Sequence, residues 1–492
     1  MVGSVSAVRN KEYRSQRTGP HDLNRAAAHC PRGRNRDKLE RMAESLPSGV
    51  GRARVPITSL RDVDAVYVKI AKRIIPFIAL LFVMAWLDRY NLGFAKLQMV
   101  KDVGFSNAVY GFGAGIFYLG YMLFEIPSNL LLEKIGARKT FARIGILWGI
   151  TSMAMVFVKT AAWFYILRFL LGSFEAGLWP GVVLYLTYWF PARRRAQMVA
   201  GCVAAVPISS ILGGPISGWI MRSMGGRAGL ANWQWLFVLE GIPSIIIGVL
   251  ALATIVDKPQ QARWLTEREK HLVLADLEAD HRQAGPREHG FRQALKRPRV
   301  WLLGAIYFCL SGANLTIPFW LPTIIQGLGV ENTLTIGMLS AVPYIGALVA
   351  MVLVGRHSDH KLERHYHAAL PCLACALSLI GIGVFANSPA LAFTALVVAV
   401  AAPTTAATVF WQIPPMLLAG TAAAGGIALT NSIGTLSGWV GPSIVGWLKD
   451  VTGKTATGLY VVAGLEVLGA ILILRFAPRR PAVGEPVRSQ QK

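Results

Sequence analysis

The sequence predicts an all-α integral membrane protein with twelve transmembrane helices in two six-helix repeats and with both termini in the cytoplasm. Composition, the spacing of apolar runs and an internal repeat lead to this prediction. Hydrophobic residues make up 53% of the 492 residues and charged residues only 15%, whereas soluble proteins carry about 25% charged residues. A membrane span needs about 20 mainly apolar residues, so the chain is long enough for all the predicted spans and their loops.

The N-terminal segment, residues 1–70, is predicted to be a basic, disordered cytoplasmic tail. It is rich in Arg, Gly, Ser and Pro and shows no helical or strand periodicity. Met42 is an alternative start, so translation of residues 1–41 stays open. The first long apolar run begins near Ile74 and continues for a full span, which predicts a retained first helix and not a cleaved signal.

The apolar runs fall into two groups of six on either side of a polar linker. Residues 71–256 form the predicted N-terminal half, residues 257–299 the cytoplasmic linker, residues 300–478 the C-terminal half, and residues 479–492 a cytoplasmic tail. Within the linker, Thr266 and Glu269 have the spacing of a helix capping box in front of an apolar stripe. The linker is therefore predicted to contain a short amphipathic helix.

The distribution of basic residues predicts the orientation. The formal net charge of +24 is spread over the N-terminal tail and the loops that flank apolar runs. Basic residues in those places act mainly as topological signals, which argues against nucleic-acid binding. With the N-terminus inside, the short cytoplasmic loops hold ten Lys and Arg against seven outside, and the linker and C-terminal tail add more.

An internal repeat links the two groups of runs. Glu133 in the loop after the second run and Asp359 in the loop after the eighth are 226 residues apart, and Pro215 and Pro442 are 227 apart. The two loops, with Glu133, Arg138 and Lys139 in the first and Asp359 and Arg364 in the second, resemble the G-x-x-x-D-[RK]-x-G-x-[RK]-[RK] signature of the major facilitator superfamily. This resemblance implies two parallel repeats, a substrate site between them, and loops that act as gates during alternating access.

Four charged residues lie inside predicted spans. Asp88 and Arg89 are adjacent in the first run, and Arg168 and Glu175 lie seven residues apart in the fourth. Intramembrane charges are costly and indicate functional sites by default, although interfacial anchoring or a structural partnership is the alternative for each. Adjacent helical residues point about 100° apart, so Asp88 and Arg89 need different surroundings.

The segments around these charges, together with Gly120–Asn129 and Ala262–Thr266, resemble the anion:cation symporter family, and the bacterial branch that takes up tartrate, phthalate and related acids is the most similar. The resemblance implies that Arg89 binds the substrate carboxylate and that Asp88 and Glu175 couple protons. It further implies binding positions at Tyr121, Arg168, Trp411, Gln412 and Asn431. The fifth run lacks the Gln that sugar-acid carriers of this family use, which argues against a sugar acid.

The leading interpretation is proton-coupled uptake of a small organic carboxylate across the bacterial inner membrane by a multi-pass protein that is expected to be monomeric. Protons are the expected coupling ion, and no cofactor, metal or nucleic acid is expected. The sequence contains no catalytic triad, metal-binding motif or nucleotide-binding loop beyond what chance would give, so an enzyme is not expected. A proton-antiporting exporter of drugs or aromatic acids and a non-transporting membrane sensor are the alternatives.

Overall fold

The computed structural model describes residues 60–203, 205–284, 294–418 and 422–476. Within these ranges the chain forms helices joined by short loops and contains no strand. Most of the predicted N-terminal tail and all of the predicted tail at 479–492 lie outside the described residues. The first helix, α1, begins at Leu60, before the predicted boundary at residue 71.

The predicted N-terminal half forms eight helices. Their bounds are α1 Leu60–Val103, α2 Asn107–Ile135, α3 Ala137–Ala154, α4 Ala161–Glu175, α5 Leu178–Trp189, α6 Ala192–Val203, α7 Ala205–Ser223 and α8 Asn232–Thr254. The predicted fourth run corresponds to α4 and α5, which are separated at Gly177. This glycine adopts a left-handed conformation with φ of 86°, so α4 ends with Glu175 as its last residue.

The linker and the C-terminal half follow in the predicted order. Their helices are α9 Glu267–Ala284, α10 Pro298–Gly327, α11 Thr333–Lys361, α12 His365–Val384, α13 Pro389–Phe410, α14 Pro414–Leu417, α15 Ala422–Thr435, α16 Ser437–Thr452 and α17 Thr455–Phe476. Eleven helices in the described residues are long and apolar enough to cross a membrane. The predicted eleventh run is divided at Leu436 into α15 and α16, of 14 and 16 residues.

A helix, α9, lies within the predicted linker. Its capping box is formed, because the backbone N–H of Thr266 donates to Glu269 Oε2 at 2.8 Å and that of Glu269 donates to Thr266 Oγ1 at 3.3 Å. Partial burial raises the pKa of Glu269, but hydrogen bonds from Lys69 and Thr266 outweigh it and hold that pKa below its ordinary value. Arg193 pairs with Asp276 at 2.7 Å. These contacts fix α9 to α1 and to the start of α6.

The end of the bundle that carries α9 is named the linker end. At the other end, which is named the sealed end, the helix backbones of the two halves approach each other most closely. There α2 packs on α16 and α7 packs on α11 through glycines that allow the backbones to touch. A Cβ atom at Gly111 would lie 2.2 Å from the Pro442 carbonyl oxygen, and one at Gly214 would lie 2.5 Å from the Gly337 carbonyl oxygen. Small residues therefore close this end by direct backbone contact.

Polar contacts add to the seal between the halves. The Tyr110 hydroxyl, on α2, lies within hydrogen-bond distance of two carbonyl oxygens, that of Leu92 at 3.1 Å and that of Phe319 at 3.0 Å, and its single proton is directed to one of them. Asp450, at the end of α16, accepts from the backbone N–H of Asn107 at 3.0 Å and of Ala108 at 2.7 Å. The Asp450 carboxylate thus accepts hydrogen bonds from N–H groups at the start of α2 that would otherwise be unpaired.

Candidate substrate and proton site

Arg89 lies in the middle of α1 inside a group of aromatic rings. Its guanidinium carbon is 4.7 Å from the Trp86 ring centroid, 5.1 Å from that of Phe117 and 5.3 Å from that of Tyr121. The Arg89 side chain is still 14% exposed. Aromatic faces stabilise a cation at low dielectric without neutralising it, so Arg89 remains able to bind an anion.

Glu175 is the ion-pair partner of Arg89. The guanidinium Nε and Nη2 donate to the same carboxylate oxygen, Glu175 Oε1, at 2.9 and 2.5 Å. The Glu175 side chain is fully buried, and its second oxygen, Oε2, has no hydrogen-bond partner among the described residues. A carboxyl oxygen without a donor is free to take up a proton or to accept a further hydrogen bond. The sequence placed both residues in the site but did not predict that they pair.

Asp88 faces away from Arg89, as the helical geometry predicted. Its Oδ1 accepts a hydrogen bond from the Ser152 hydroxyl on α3 and one from Asn91 Nδ2 at 3.3 Å. The side chain is buried at 2% exposure and has no ion-pair partner within the described part of the chain. Asp88 is therefore a second carboxyl inside the first half, held by neutral donors.

Arg168 is buried inside the first half at 1% exposure. It donates to the backbone carbonyl oxygens of Gly113 at 3.3 Å and Ala114 at 3.1 Å, both on α2. The guanidinium carbon also lies 5.0 Å from the Phe117 ring centroid, a ring that Arg89 shares. Arg168 thus contacts the Phe117 ring that Arg89 also contacts, and its guanidinium N–H groups donate to backbone carbonyl oxygens.

Tyr121 and Asn431 line a path from Arg89 to the second half. Tyr121, 7% exposed, lies one helical turn before Glu125 on the same face of α2. Asn431 on α15 donates through Nδ2 to Glu125 Oε1 at 3.5 Å. This contact joins the two halves on the linker side of the seal and adds Glu125, a residue that the sequence reasoning did not select.

Trp411 and Gln412 lie farther along, at the end of α13. The Trp411 ring contacts Tyr307 with ring centroids 4.7 Å apart, and Tyr307 in turn packs on α15 at Gly434. No hydrogen bond or ring contact between described residues joins Trp411 or Gln412 to Arg89. The structure therefore places Trp411 against Tyr307 of α10 and leaves Gln412 half-buried beside it.

The predicted gating loops both lie at the linker end. Asp359 and Arg364 form an ion pair at 2.6 Å in the second loop. In the first loop, Glu133 and Lys139 are exposed, and neither forms an ion pair with another described residue. The backbone N–H of Arg138 donates to Asp257 Oδ1 at 2.8 Å, so the acid that caps the start of α3 comes from the linker.

Two further buried carboxyls were missed by the sequence reasoning. Glu240 on α8 accepts a hydrogen bond from the Ser217 hydroxyl at 2.8 Å. Glu466 on α17 is fully buried, and neither of its carboxyl oxygens has a hydrogen-bond partner in the described part of the chain. Glu240 and Glu466 are each a single acid within an apolar run. The sequence signal that identified Asp88 and Glu175, a charge that interrupts an apolar run, was therefore present for them as well.

Comparisons with known proteins agree with this architecture. The family model described as Major Facilitator Superfamily matches residues 78–442. A protein of Agrobacterium vitis named as a candidate tartrate transporter is 47% identical over 86% of this chain and 94% of its own length. A quinolone resistance transporter of Acinetobacter baumannii is 40% identical over 81% of this chain and 92% of its own length.

Solved structures show the same fold at low sequence identity. The inward-open xylose transporter XylE of E. coli matches with a TM-score of 0.67 and 14% identity, over 85% of this chain and 98% of that one. The helical architecture, the family match and the similarity of whole chains all lead to one assignment. The chain belongs to the Major Facilitator Superfamily and is a secondary membrane transporter, not an enzyme.

Proposed function

We propose that this protein takes up a small organic carboxylate, such as tartrate, phthalate, hydroxyphenylacetate or a related acid, together with protons. Uptake proceeds by alternating access across the bacterial inner membrane, with twelve spans and with both termini and the linker end in the cytoplasm. The observation that carries the proposal is the pair between partly exposed Arg89 and buried Glu175. The similarity to a candidate tartrate transporter along almost the whole chain supports the substrate class.

The pair couples protons to substrate through competition for one guanidinium. When Glu175 is ionised, it occupies the Nε and Nη2 donors of Arg89. A proton on Glu175 weakens this charge-assisted pair and frees the two donors for a substrate carboxylate. Because substrate and proton favour each other's binding, the free energy of the proton gradient is linked to accumulation of the anion.

The remaining site residues have supporting roles. Asp88 is a second proton acceptor behind the pair, and Tyr121, Arg168 and Asn431 shape the pocket around the bound anion. Trp411 and Gln412 close the pocket from the second half. Glu133, Arg138, Lys139, Asp359 and Arg364 act as gates at the linker end, and the transporter works as a monomer that requires no cofactor besides protons.

The test is uptake of labelled organic acids by proteoliposomes with and without an inward proton gradient. Wild-type protein and the Arg89→Ala variant are compared, with Arg89→Lys as the variant that keeps the charge but loses the planar fork. Gradient-driven accumulation of at least one acid by the wild type, abolished in Arg89→Ala, is expected. If the folded wild type accumulates no carboxylate under either condition, the proposal is wrong.

Export is a second candidate function, favoured by the similarity to a quinolone resistance transporter. The competing reaction is proton antiport, in which the substrate and the proton move in opposite directions. The same vesicles distinguish the two functions, because an exporter expels a preloaded quinolone when an inward proton gradient is imposed. Tartrate accumulation without quinolone expulsion favours uptake.

A further inference from the structure

The sealed end buries a lysine whose ammonium group has no acceptor in the part of the chain that the structure describes. Lys96 lies on α1, seven residues beyond Arg89, and is only 5% exposed. Its Nζ has no hydrogen-bond partner, and no carboxylate of the described residues lies within 4.0 Å of it. An ammonium removed from water is strongly unfavourable unless it is paired or hydrogen-bonded.

Aromatic rings surround this ammonium and supply a second unused donor. Lys96 Nζ is 3.3 Å from the Trp320 ring centroid and 4.8 Å from that of Tyr110. These contacts give only part of the stabilisation that an acceptor would give. The indole Nε1 of Trp320 is also buried without a hydrogen-bond partner among the described residues. Two buried donors therefore meet at one place that contains no acceptor for either.

A second cation approaches the same indole from the other half. Lys449 Nζ, on α16, lies 5.6 Å from the Trp320 ring centroid. Its neighbour Asp450 is directed to the start of α2 and does not pair with either lysine in the described structure. Lys96 belongs to the first half and Lys449 to the second, so closing the seal brings two like charges close to one ring.

We infer that Lys96, Lys449 and Trp320 form an entry site that binds the carboxylate group of the transported anion before the anion reaches Arg89. This inference rests on the proposed function. Opening of the sealed end separates the halves and exposes the ammonium groups and the indole N–H to the incoming anion. The carboxylate then has about 10 Å to travel along α1 to Arg89, and closure of the seal removes the space between the lysines.

The experiment measures KM and kcat for tartrate in right-side-out and inside-out vesicles. Lys96→Gln, Lys449→Gln and Trp320→Phe are compared with wild type, and Lys101→Gln is the matched control because it removes an exposed lysine from the same helix. In Lys96→Gln we expect KM from the sealed side to rise about tenfold, because a charge-assisted hydrogen bond is lost. KM from the linker side and kcat should stay near their wild-type values.

Salt gives an independent measurement of the same site. Raising the ionic strength on the sealed side should increase the wild-type KM more than the Lys96→Gln KM, because screening weakens attraction to exposed charges. An equal KM for Lys96→Gln and Lys101→Gln overturns the inference while leaving the proposed function intact. If Lys96→Gln does not elute as a monodisperse protein, Lys449→Gln and Trp320→Phe decide the question by the same criterion. A wild type that transports no carboxylate refutes both proposals.

Discussion

Two neighbouring residues of α1 serve two different environments. Arg89 points to an aromatic group and an ion-pair partner, whereas Asp88 points into the interior of the first half, toward Ser152. A helix makes this division unavoidable, because successive side chains diverge by about 100°. The substrate anchor and a buried carboxyl can therefore be adjacent in sequence without neutralising each other.

At Glu175 we predict that Glu175→Gln separates binding from coupling. The amide mimics the protonated acid, so Arg89 stays available and tartrate should still bind and exchange across the membrane in counterflow. Accumulation driven by an imposed proton gradient should fall to the level seen without a gradient. Counterflow and gradient-driven uptake in the same vesicles check this. Normal gradient-driven accumulation by Glu175→Gln would contradict the coupling role.

Site residues were predictable where a charge interrupts an apolar run. Asp88, Arg89, Arg168 and Glu175 stand out for this reason, because a membrane span rarely contains charges without a function. Their partners depend on which helices pack together, and single-sequence periodicity does not contain that information. The Arg89–Glu175 pair and the Asn431–Glu125 contact therefore emerged only from the structure, which brings the Arg89 side chain of α1 to the end of α4 and places α2 near α15.

The α2–α16 contact is the element that holds the sealed end. Backbones meet at Gly111 and Pro442, and the Asp450 carboxylate accepts from the first N–H groups of α2. This arrangement acts as a helix cap supplied by the opposite half of the molecule. We expect this cap to stabilise the closed form of the sealed end by about as much as an ordinary helix cap stabilises a helix, about 1 kcal/mol.

We predict that Asp450→Ala shifts the molecule toward an open sealed end. Losing about 1 kcal/mol of capping changes the ratio of closed to open molecules roughly fivefold. The measurement is the distance between spin labels at positions 159 and 454, in a variant that lacks the five native cysteines. The Asp450→Ala variant should show a larger fraction of long label-to-label distances than the wild type. Asp102→Ala is the control, because Asp102 accepts from Trp233 Nε1 within one half. An unchanged distance distribution would contradict the capping role.

Predicted elements agreed with the structure where the sequence carries local signals. The capping box at Thr266 and Glu269 lies at the start of α9, and Gly177 lies at the break between α4 and α5. The division of the eleventh run at Leu436 was not predicted, because a continuous apolar run contains no local signal for it. Helix bounds such as Leu60 follow from contacts with the distant linker, including the pair between Lys69 and Glu269.

At the scale of the whole molecule, the repeat predicted the order of the elements but not their chemical asymmetry. The 226-residue offset maps Asp88 onto Asn314, whose Oδ1 accepts from the Thr404 hydroxyl at 3.1 Å. The Arg89–Glu175 pair thus has no charged counterpart at the equivalent place. The two halves of one architecture therefore differ, since the first carries the ion pair and, in the proposed mechanism, the second completes the pocket.

The orientation of the molecule gives a further prediction. Position 454 lies in the loop between α16 and α17 at the sealed end, and position 361 lies at the linker end; both are exposed. A membrane-impermeant maleimide should label Lys454→Cys in intact cells and Lys361→Cys only after the membrane is opened. Unmodified protein measures background from the native cysteines. The reverse labelling pattern would place the linker end outside.

In the proposed mechanism, the Arg89–Glu175 pair also determines how the membrane voltage acts on the cycle. An empty site holds one guanidinium and one carboxylate, whereas a loaded site holds the guanidinium, a neutral Glu175 and one substrate carboxylate. Both states have the same net charge, so a monoanion carried with one proton makes the cycle electroneutral. A dianion such as tartrate adds one negative charge, and only a second proton, for which Asp88 provides a place, restores the balance.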